Sequence, residues 1–212
     1  DRCLDRLEVR QVPVLVLSHF HSDHVEGLPG VLDGRRVGRI VVSPLDDPAE
    51  ESARVRGWAE QAQVPVVDAE AGHTEQTGEV SWRVVWPVLP MPDGGSAPNN
   101  ASVVLRVEVA GISVLLTGDI EPEAQAAILR GGEEIGADVL KVPHHGSGNQ
   151  DAAFLEAVDP ALALVSVGAD NTYGHPAAPL VRQLVEESAV VQRTDSRGSL
   201  AVPRRADPRG SR

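Results

Sequence analysis

The sequence has 212 residues, of which 42% are hydrophobic and only 3% aromatic, and its formal net charge is −12. This length and composition predict one soluble globular domain with an interior of valine, leucine and alanine. The charge argues against a surface that coats nucleic acid, no apolar run approaches the roughly 18 residues that span a bilayer, and the lone Cys3 excludes both an internal disulfide and a finger-type zinc site.

Short apolar runs rich in β-branched residues recur along the whole chain. Each is bounded by Gly, Pro, Asp or Asn, which is typical of strands. The runs that predict strands are 12–18, 38–43, 64–67, 80–88, 101–109, 112–118, 138–142, 162–167 and 190–194.

Three helices are predicted between these strands. The first has acidic residues in its first turn and glycines after its last, the second begins at Asp151 as its cap, and the third places Leu180, Leu184 and Val185 on one face. The predicted helices are 121–132, 151–158 and 177–188. Strands mixed with helices indicate a layered α/β or α+β domain.

The domain organisation predicted from this pattern is simple. We expect a single domain over residues 1–202 and a disordered basic tail at 203–212, and residues 89–100 are a loop by composition. Because the sequence begins without methionine or a signal peptide, we expect it to be a segment of a larger protein.

One stretch, LSHFHSDHVEGL at residues 17–28, places three of the seven histidines and an aspartate within six positions. If the preceding run is a strand, His19 and His21 point to the same side, and Asp23 and His24 lie on a turn that enters a helix. Imidazole nitrogen and carboxylate oxygen together suit zinc, manganese or iron. The pattern favours half of the ligand set of two adjacent metal ions over a surface histidine cluster.

This stretch resembles the first metal motif of the metallo-β-lactamase superfamily. Two later motifs fit the same resemblance: LLTGDIEPEAQ places Asp119 at a strand end, where the superfamily has its bridging aspartate, and VLKVPHHGSG places His144 and His145 at the next strand end. Of these two histidines we favour His145 as the ligand, because the last metal histidine of the superfamily commonly precedes glycine. The fold implied is an αββα sandwich.

The resemblance implies two divalent ions, Mn²⁺ or Zn²⁺. One ion is expected at His19 and His21 with Asn100, the other at Asp23, His24 and His145, with Asp119 as the bridge and Asp23 also orienting the attacking water. The superfamily usually has a further histidine about twenty residues before the bridging aspartate, and Asn99 and Asn100 occupy that position here. An asparagine oxygen is a weak, neutral ligand, which shifts the metal preference mildly towards manganese.

Four other residues are candidates for roles at or near this site. His73 lies in a GHT turn 46 positions before Asp119 and is interpreted as a surface residue. His144 is the second candidate for the last ligand or a substrate contact. Ser147 lacks the G-x-S-x-G elbow of a serine nucleophile, so a hydrogen bond to substrate is favoured. His175, in a YGHP turn, is expected either to bind phosphate and donate a proton to the leaving oxygen or to pack within its turn.

The wider set of motifs, with NNASVVL, HHGS, NTYGHP and RTDSRGSLAV, resembles the carboxy-terminal domain of ComEC-type channel proteins of bacterial DNA uptake. The resemblance runs from about Val12 to Val202. That family also has a D-x-G-x-G-D strand and turn before the histidine motif, which is absent here, so we expect the first strands of the fold to be missing.

The function implied is that of a metal-dependent DNA nuclease, a soluble domain of a bacterial membrane channel on its extracytoplasmic face, which degrades the strand that is not imported. Because the charge of −12 repels DNA, other domains of the channel are expected to deliver the strand. The alternatives are a small-molecule phosphodiesterase such as a phosphorylcholine esterase, a lactonase or thioesterase-like hydrolase, and a non-catalytic metal-binding module.

Overall fold

The computed structural model describes residues 2–203 as a mixed α/β structure. The helices are α1 (Arg2–Arg6), α2 (Ser22–Val25), α3 (Leu28–Leu32), α4 (Ala49–Gln61), α5 (Ala97–Asn100), α6 (Pro122–Gly131), α7 (Ala152–Val158), α8 (Ala178–Glu186) and α9 (Thr194–Arg197). The strands are β1 (Gln11–Val16), β2 (Arg36–Val42), β3 (Val66–Asp68), β4 (Thr74–Thr77), β5 (Val80–Trp86), β6 (Val104–Val109), β7 (Ile112–Leu116), β8 (Val139–Lys141), β9 (Leu162–Val165) and β10 (Val190–Arg193). A 3₁₀ turn covers Pro143–Gly146.

The strands form two sheets. The smaller sheet is parallel and has the order β1-β2-β3. The larger sheet has the order β10-β9-β8-β7-β6-β5-β4, in which β7 to β10 pair in parallel and β4 to β7 pair antiparallel. The carboxyl ends of the parallel strands β7 and β8 therefore lie side by side, in the middle of the larger sheet.

Three clusters of buried apolar residues define the layers. One lies between the smaller sheet and α2 to α4 and includes Phe20 and Val55, and another lies between the larger sheet and α6 to α8 and includes Leu115 and Phe154. The third, around Trp82, lies between the two sheets. The order helix, sheet, sheet, helix is the predicted αββα sandwich.

Each of the nine predicted strands is present, and so are the three predicted helices. Asp151 caps α7 as expected, because its side chain accepts the N–H of Ala153. The interpretation of Val185 was wrong: Leu180 and Leu184 are buried, but Val185 is mostly exposed. Several elements were missed: the edge strand β4, which contains no apolar residue, the polar helix α4, and the short helices α1, α3, α5 and α9. The predicted loop at 89–100 is wrong over its last four residues, which form α5 with a proline in its first turn.

The boundaries of the predicted domain stay a prediction, as does the proposal that further strands precede β1. Most of the predicted basic tail, residues 204–212, lies outside the described residues. No helix within residues 2–203 is both long and apolar enough to cross a membrane.

Candidate metal centre

The site lies where the ends of strands from both sheets meet. The three clustered histidines follow β1, Asp119 follows β7, and His145 lies in the 3₁₀ turn after β8. A backbone hydrogen bond of 2.7 Å from the N–H of Val103 to the carbonyl of Ser18 joins the loop after β1 to the segment that leads into β6. His19 and His21 lie in this loop and not within the strand, so the loop, rather than the alternation of a strand, brings their rings together.

Four side chains converge most closely, those of Asp23, His24, Asp119 and His145. The Nε2 atoms of His24 and His145 are 3.2 Å apart, and each lies 3.2 Å from Asp119 Oδ2. Asp23 Oδ2 lies 3.2 Å from the His145 nitrogen and 3.5 Å from the His24 nitrogen. Neighbouring ligand atoms of a tetrahedral ion with bonds of roughly 2.0–2.1 Å are separated by roughly 3.3 Å. This group therefore fits a divalent metal ion in both chemistry and spacing.

A second group adjoins the first on the side of His19. His19 Nε2 lies 3.0 Å from His21 Nδ1, and His19, His24 and Asp119 offer ligand atoms that all lie within 4.8 Å of one another. Asp119 thus lies between two histidine pairs, His19 with His21 and His24 with His145, where a bridging carboxylate is expected. The structure brings together all six residues predicted as principal ligands, and their roles as ligands stay predictions.

Two serines orient the imidazole rings. The hydroxyl of Ser18 lies 3.2 Å from His19 Nδ1 and 3.0 Å from His24 Nδ1, and the hydroxyl of Ser102 lies 3.2 Å from His19 Nδ1. If the Nε2 atoms of these rings bind metal, the Nδ1–H groups donate to the serine oxygens, which fixes the tautomer and the direction of each ring. Ser102 also accepts the N–H of Asp119 at 3.0 Å, so one hydroxyl positions residues from both groups.

The turn before Asp119 requires glycine. Gly118 has a φ of +54°, and a Cβ at this position would lie 2.6 Å from Ser102 Cβ and 2.9 Å from Ser18 Cβ. The absence of a side chain therefore allows both serines to reach the histidines.

Lys141, the only lysine in the chain, is largely buried beside Asp119. Its Nζ donates to Gly118 O at 2.6 Å and to Asp119 Oδ1 at 3.2 Å. Burial lowers the pKa of Lys141, and the charge of Asp119 opposes that effect. This residue is not among those predicted from the sequence, although its rarity and its place three residues before His144 and His145 were usable signals.

The acidic and basic side chains of the site strongly shift one another's pKa values. Burial raises the pKa of Asp119, but hydrogen bonds from His145 and His24 and the charge of Lys141 outweigh it and hold the pKa well below its usual range. Hydrogen bonds to Asp119 and Asp23 raise the pKa of His145 to about 10. The hydrogen bond from His145 lowers the pKa of Asp23 to about 2. Burial, followed by the charge of His24, lowers the pKa of His19 to about 3.

The candidate metal centre borders a cleft of about 1020 Å³. Asp119 and His145 line one part of it, and the loop at 166–175 with His144 lines another. The rings of His144 and His175 are adjacent, with centroids 5.7 Å apart. Burial, followed by the charge of His144, lowers the pKa of His175, so this ring is neutral at pH 7 unless a bound anion raises its pKa.

His144 points away from the four-residue group. Its Nδ1 lies 3.6 Å from Glu121 Oε1, and Asn99 donates to the same carboxylate oxygen at 2.8 Å. Asn99 Oδ1 and His144 Nδ1 are buried and make no hydrogen bond within the described part of the chain. Of the two candidates for the last ligand, His145 is therefore the one that lies among the predicted ligands.

Asn100 occupies the position predicted to replace a metal histidine, but its amide contacts other partners. Its oxygen accepts the N–H of Glu121 at 2.9 Å, and its nitrogen donates to Gly94 O at 3.2 Å and to Glu123 at 3.3 Å. These contacts favour a structural role at the start of α6, and a ligand role for Asn100 stays a prediction. Asn99, not Asn100, lines the cleft.

Ser147 and His73 complete the predicted set. Ser147 is mostly buried, and its hydroxyl accepts the N–H of Asn149 at 3.2 Å, so it stabilises its own turn. His73 is half-exposed, lies 3.4 Å from Glu75 and packs near Trp82. It lies outside both groups of ligand atoms, as expected for a surface residue.

Comparison with known proteins assigns this architecture. The family model of the metallo-beta-lactamase superfamily matches residues 2–168. The chain belongs to the metallo-β-lactamase superfamily. Solved structures agree on the fold: CmlA, a diiron beta-hydroxylase from Streptomyces venezuelae, superposes with a TM-score of 0.58 at 17% identity, over 87% of this chain and 44% of that one. The metallo-beta-lactamase fold protein YhfI from Bacillus subtilis gives 0.51 at 12% identity, over 85% and 74%.

Within the metallo-β-lactamase superfamily, the similar curated proteins include competence proteins. ComE operon protein 3 from Bacillus subtilis is 32% identical over 91% of this chain, and competence protein ComA from Neisseria gonorrhoeae is 30% identical over 93%. The predicted resemblance to ComEC-type proteins is confirmed. The chain spans only 24% and 26% of the length of these two relatives.

Proposed function

We propose that the chain is the hydrolytic domain of a ComEC-type competence protein and that it cleaves phosphodiester bonds in DNA with the help of two divalent metal ions. The observation that carries this proposal is the convergence of Asp23, His24, Asp119 and His145 beside one cleft, at distances of 3.2–3.5 Å between the ligand atoms. The similarity to two competence proteins over more than nine-tenths of the chain supports the choice of DNA.

The residues divide into those that hold the ions and those that face the substrate. Asp23, His24 and His145 would hold one ion and His19 and His21 the other, with Asp119 contributing to both. When bound, divalent ions supply Lewis-acid chemistry that activates water and neutralises charge on a phosphate group. Manganese and zinc both suit this set of nitrogen and oxygen atoms.

The protein fixes the orientation of these groups before substrate arrives. Ser18 and Ser102 hold the rings of His19 and His24, and Lys141 occupies Asp119 Oδ1 and leaves Oδ2 facing the two histidine nitrogens. Asp23 is mostly exposed at the cleft and is ionised at neutral pH, so it can orient an attacking water by accepting a hydrogen bond from it.

His175 lines the cleft from the loop at 166–175 and is suited to protonating the leaving group. A phosphate bound near its ring would favour the protonated form and so oppose the effect of burial on its pKa. In that state a ring nitrogen of His175 can donate a proton to the departing oxygen.

The charge of the chain bears on how DNA reaches the site. A domain of −12 attracts DNA poorly, and metal charge is screened beyond roughly one Debye length, about 10 Å at 0.1 M salt. We therefore propose that other parts of a membrane-bound parent protein deliver the strand, with this domain on the extracytoplasmic face, where the strand that is not imported would be degraded.

Cleavage assays on the purified chain test the proposal. We expect cleavage of DNA without sequence preference that chelator abolishes and Mn²⁺ restores, and we expect Asp119→Ala to remove it. The control variant, His73→Ala, should retain full activity. Hydrolysis of bis-p-nitrophenyl phosphate without DNA cleavage would support a small-molecule phosphodiesterase instead, and a tightly bound ion without any hydrolysis would support a non-catalytic module.

A further inference from the structure

Tyr173, the only tyrosine in the chain, presents its ring to solvent within the cleft of the metal centre. Its side chain is 85% exposed, and it lines the same cleft as Asp119 and His145. The ring lies nearly parallel to that of His175, with an interplanar angle of 19° and centroids 6.2 Å apart. The Tyr173 ring therefore lies alongside that of His175, and most of it remains open to a ligand.

The loop that carries Tyr173 is held in a defined shape. The side chain of Asn171 accepts the N–H of Tyr173 at 2.9 Å and donates to the carbonyl of His175 at 2.5 Å. The end of this loop also contacts the 3₁₀ turn that carries His144 and His145, here called the histidine turn, because the N–H of Ala177 donates to Gly146 O at 2.8 Å. The Tyr173 backbone is thus tied through one short segment to the turn that carries His145.

Gly146 shows how closely the histidine turn packs against the loop that carries Tyr173. A Cβ there would lie 2.5 Å from Pro176 Cβ, so the histidine turn and the tyrosine loop pack in direct contact. Tyr173 is therefore held at a fixed position relative to the metal centre, and so is a ligand that contacts its ring.

The cleft offers little attraction to a phosphate backbone apart from the proposed metal ions. Its acidic lining residues include Glu51 and Asp170, and no lysine or arginine lines it among residues 2–203. A polyanionic ligand needs other sources of affinity here. Stacking of a base on an aromatic ring supplies affinity that needs no basic residue and tolerates any sequence.

We propose that Tyr173, which lies beside His175, is a stacking site for a nucleobase, and that the substrate of the metal centre is therefore single-stranded nucleic acid. In the interior of a duplex both faces of each base are already stacked, so an interior base must leave the helix before it can contact this ring. This inference rests on the proposed phosphodiesterase function and adds the strand state of the substrate.

The test compares two single strands that differ only in their bases. The full chain, loaded with Mn²⁺, is assayed on a short oligothymidylate and on an abasic oligonucleotide of the same length. We expect Tyr173→Ala to lower kcat/KM on the oligothymidylate by about tenfold, mainly through KM, and to leave cleavage of the abasic strand unchanged. Tyr173→Phe, which keeps the ring, should behave as the wild type on both.

Equal losses on the two strands for Tyr173→Ala would show that the ring only supports the loop, and no loss on either would show that no base binds there; both results overturn the inference. Binding of the same labelled strands to Asp119→Asn protein, read by fluorescence anisotropy, gives an independent measurement. If the wild type cleaves no phosphodiester at all, the proposed function fails, and the change in the binding ratio between the two strands when Tyr173→Ala is added to Asp119→Asn still decides whether Tyr173 stacks on a base.

Discussion

Lys141 Nζ lies 3.2 Å from Asp119 Oδ1, so the only lysine of the chain binds the carboxylate that lies between the two histidine pairs. The lysine also donates to Gly118 O at 2.6 Å, which fixes it at the turn just before that carboxylate. One oxygen of Asp119 is thus neutralised by the protein, and the other, Oδ2, faces His24 and His145. This division predicts that Lys141 sets the orientation of Asp119 as a ligand.

We predict that Lys141→Met weakens metal binding and lowers kcat by roughly 10–100-fold, because groups that orient metal ligands typically have effects of this size. The matched control is Arg56→Met, which removes a cation paired with a carboxylate, Asp46, outside the cleft. Metal content after dialysis and the rate on DNA measure both effects. Full metal content and rate in Lys141→Met would show that Asp119 needs no such partner.

Metal binding should release a proton at neutral pH. Because its hydrogen bonds to Asp119 and Asp23 raise the pKa of His145 to about 10, the ring is protonated at pH 7 in the metal-free protein. A metal ion needs the neutral ring, so affinity should rise with pH up to about 10. Calorimetric titration in two buffers of different ionisation enthalpy counts the protons released. His145→Gln should abolish this release, and His73→Gln should leave it unchanged; an affinity independent of pH would contradict the assignment.

The metal-free protein should be most stable near pH 6.5. The pKa of His145 is raised from 6.5 to about 10 on folding, so its contribution is complete below 6.5 and is lost as pH rises towards 10. The pKa of His19 is lowered from 6.5 to about 3, so its contribution is complete above 6.5 and is lost as pH falls towards 3. The two contributions to stability therefore change with pH in opposite directions, and both are complete near pH 6.5.

Thermal unfolding at a series of pH values, in the presence of chelator, measures this profile. His145→Gln should flatten the alkaline side. His19→Gln should flatten the part of the acidic side between pH 6.5 and about 4, below which Asp23 and Asp119 also lose their contribution as they become protonated. Because His145 lowers the pKa of Asp23 and Asp119, His145→Gln should also weaken the fall below about pH 4, and an alkaline side unchanged in this variant would contradict the assignment.

The sequence predicted those parts of the site that depend on local pattern or on strand ends. His19, His21, Asp23 and His24 follow one strand within six positions, and the carboxyl ends of the adjacent strands β7 and β8 place Asp119 and His145 side by side. Lys141, Ser18 and Ser102 were not predicted, because their roles arise from contacts between segments that are far apart in the chain. Ser102 meets His19 only through the pairing of the loop after β1 with the segment before β6.

Two of the elements that were missed, α4 and β4, have a similar explanation. Helix α4 buries only a narrow set of side chains, Ser52, Val55 and Ala59, so its sequence carries little of the apolar periodicity that marks a helix. Strand β4 pairs with β5 at the edge of the larger sheet, and its sequence, TEQT, carries no apolar residue. For both elements, the neighbouring structure decides the conformation more than the local sequence does.

The last prediction concerns Ser102, whose hydroxyl joins His19 to the backbone of Asp119. Ser102→Ala leaves the buried N–H of Asp119 without an acceptor, which should cost about 1–3 kcal/mol of folding free energy. It also removes one of the two hydroxyls that hold His19, so metal affinity should fall by roughly 10–100-fold. Ser43→Ala is the matched control, because this serine is also buried and its hydroxyl donates to a backbone oxygen, that of Ala101. Thermal unfolding and metal titration of both variants separate the effects: both should lower Tm, and only Ser102→Ala should weaken metal binding. Equal metal affinity in the two variants would mean that His19 does not depend on Ser102 for its orientation.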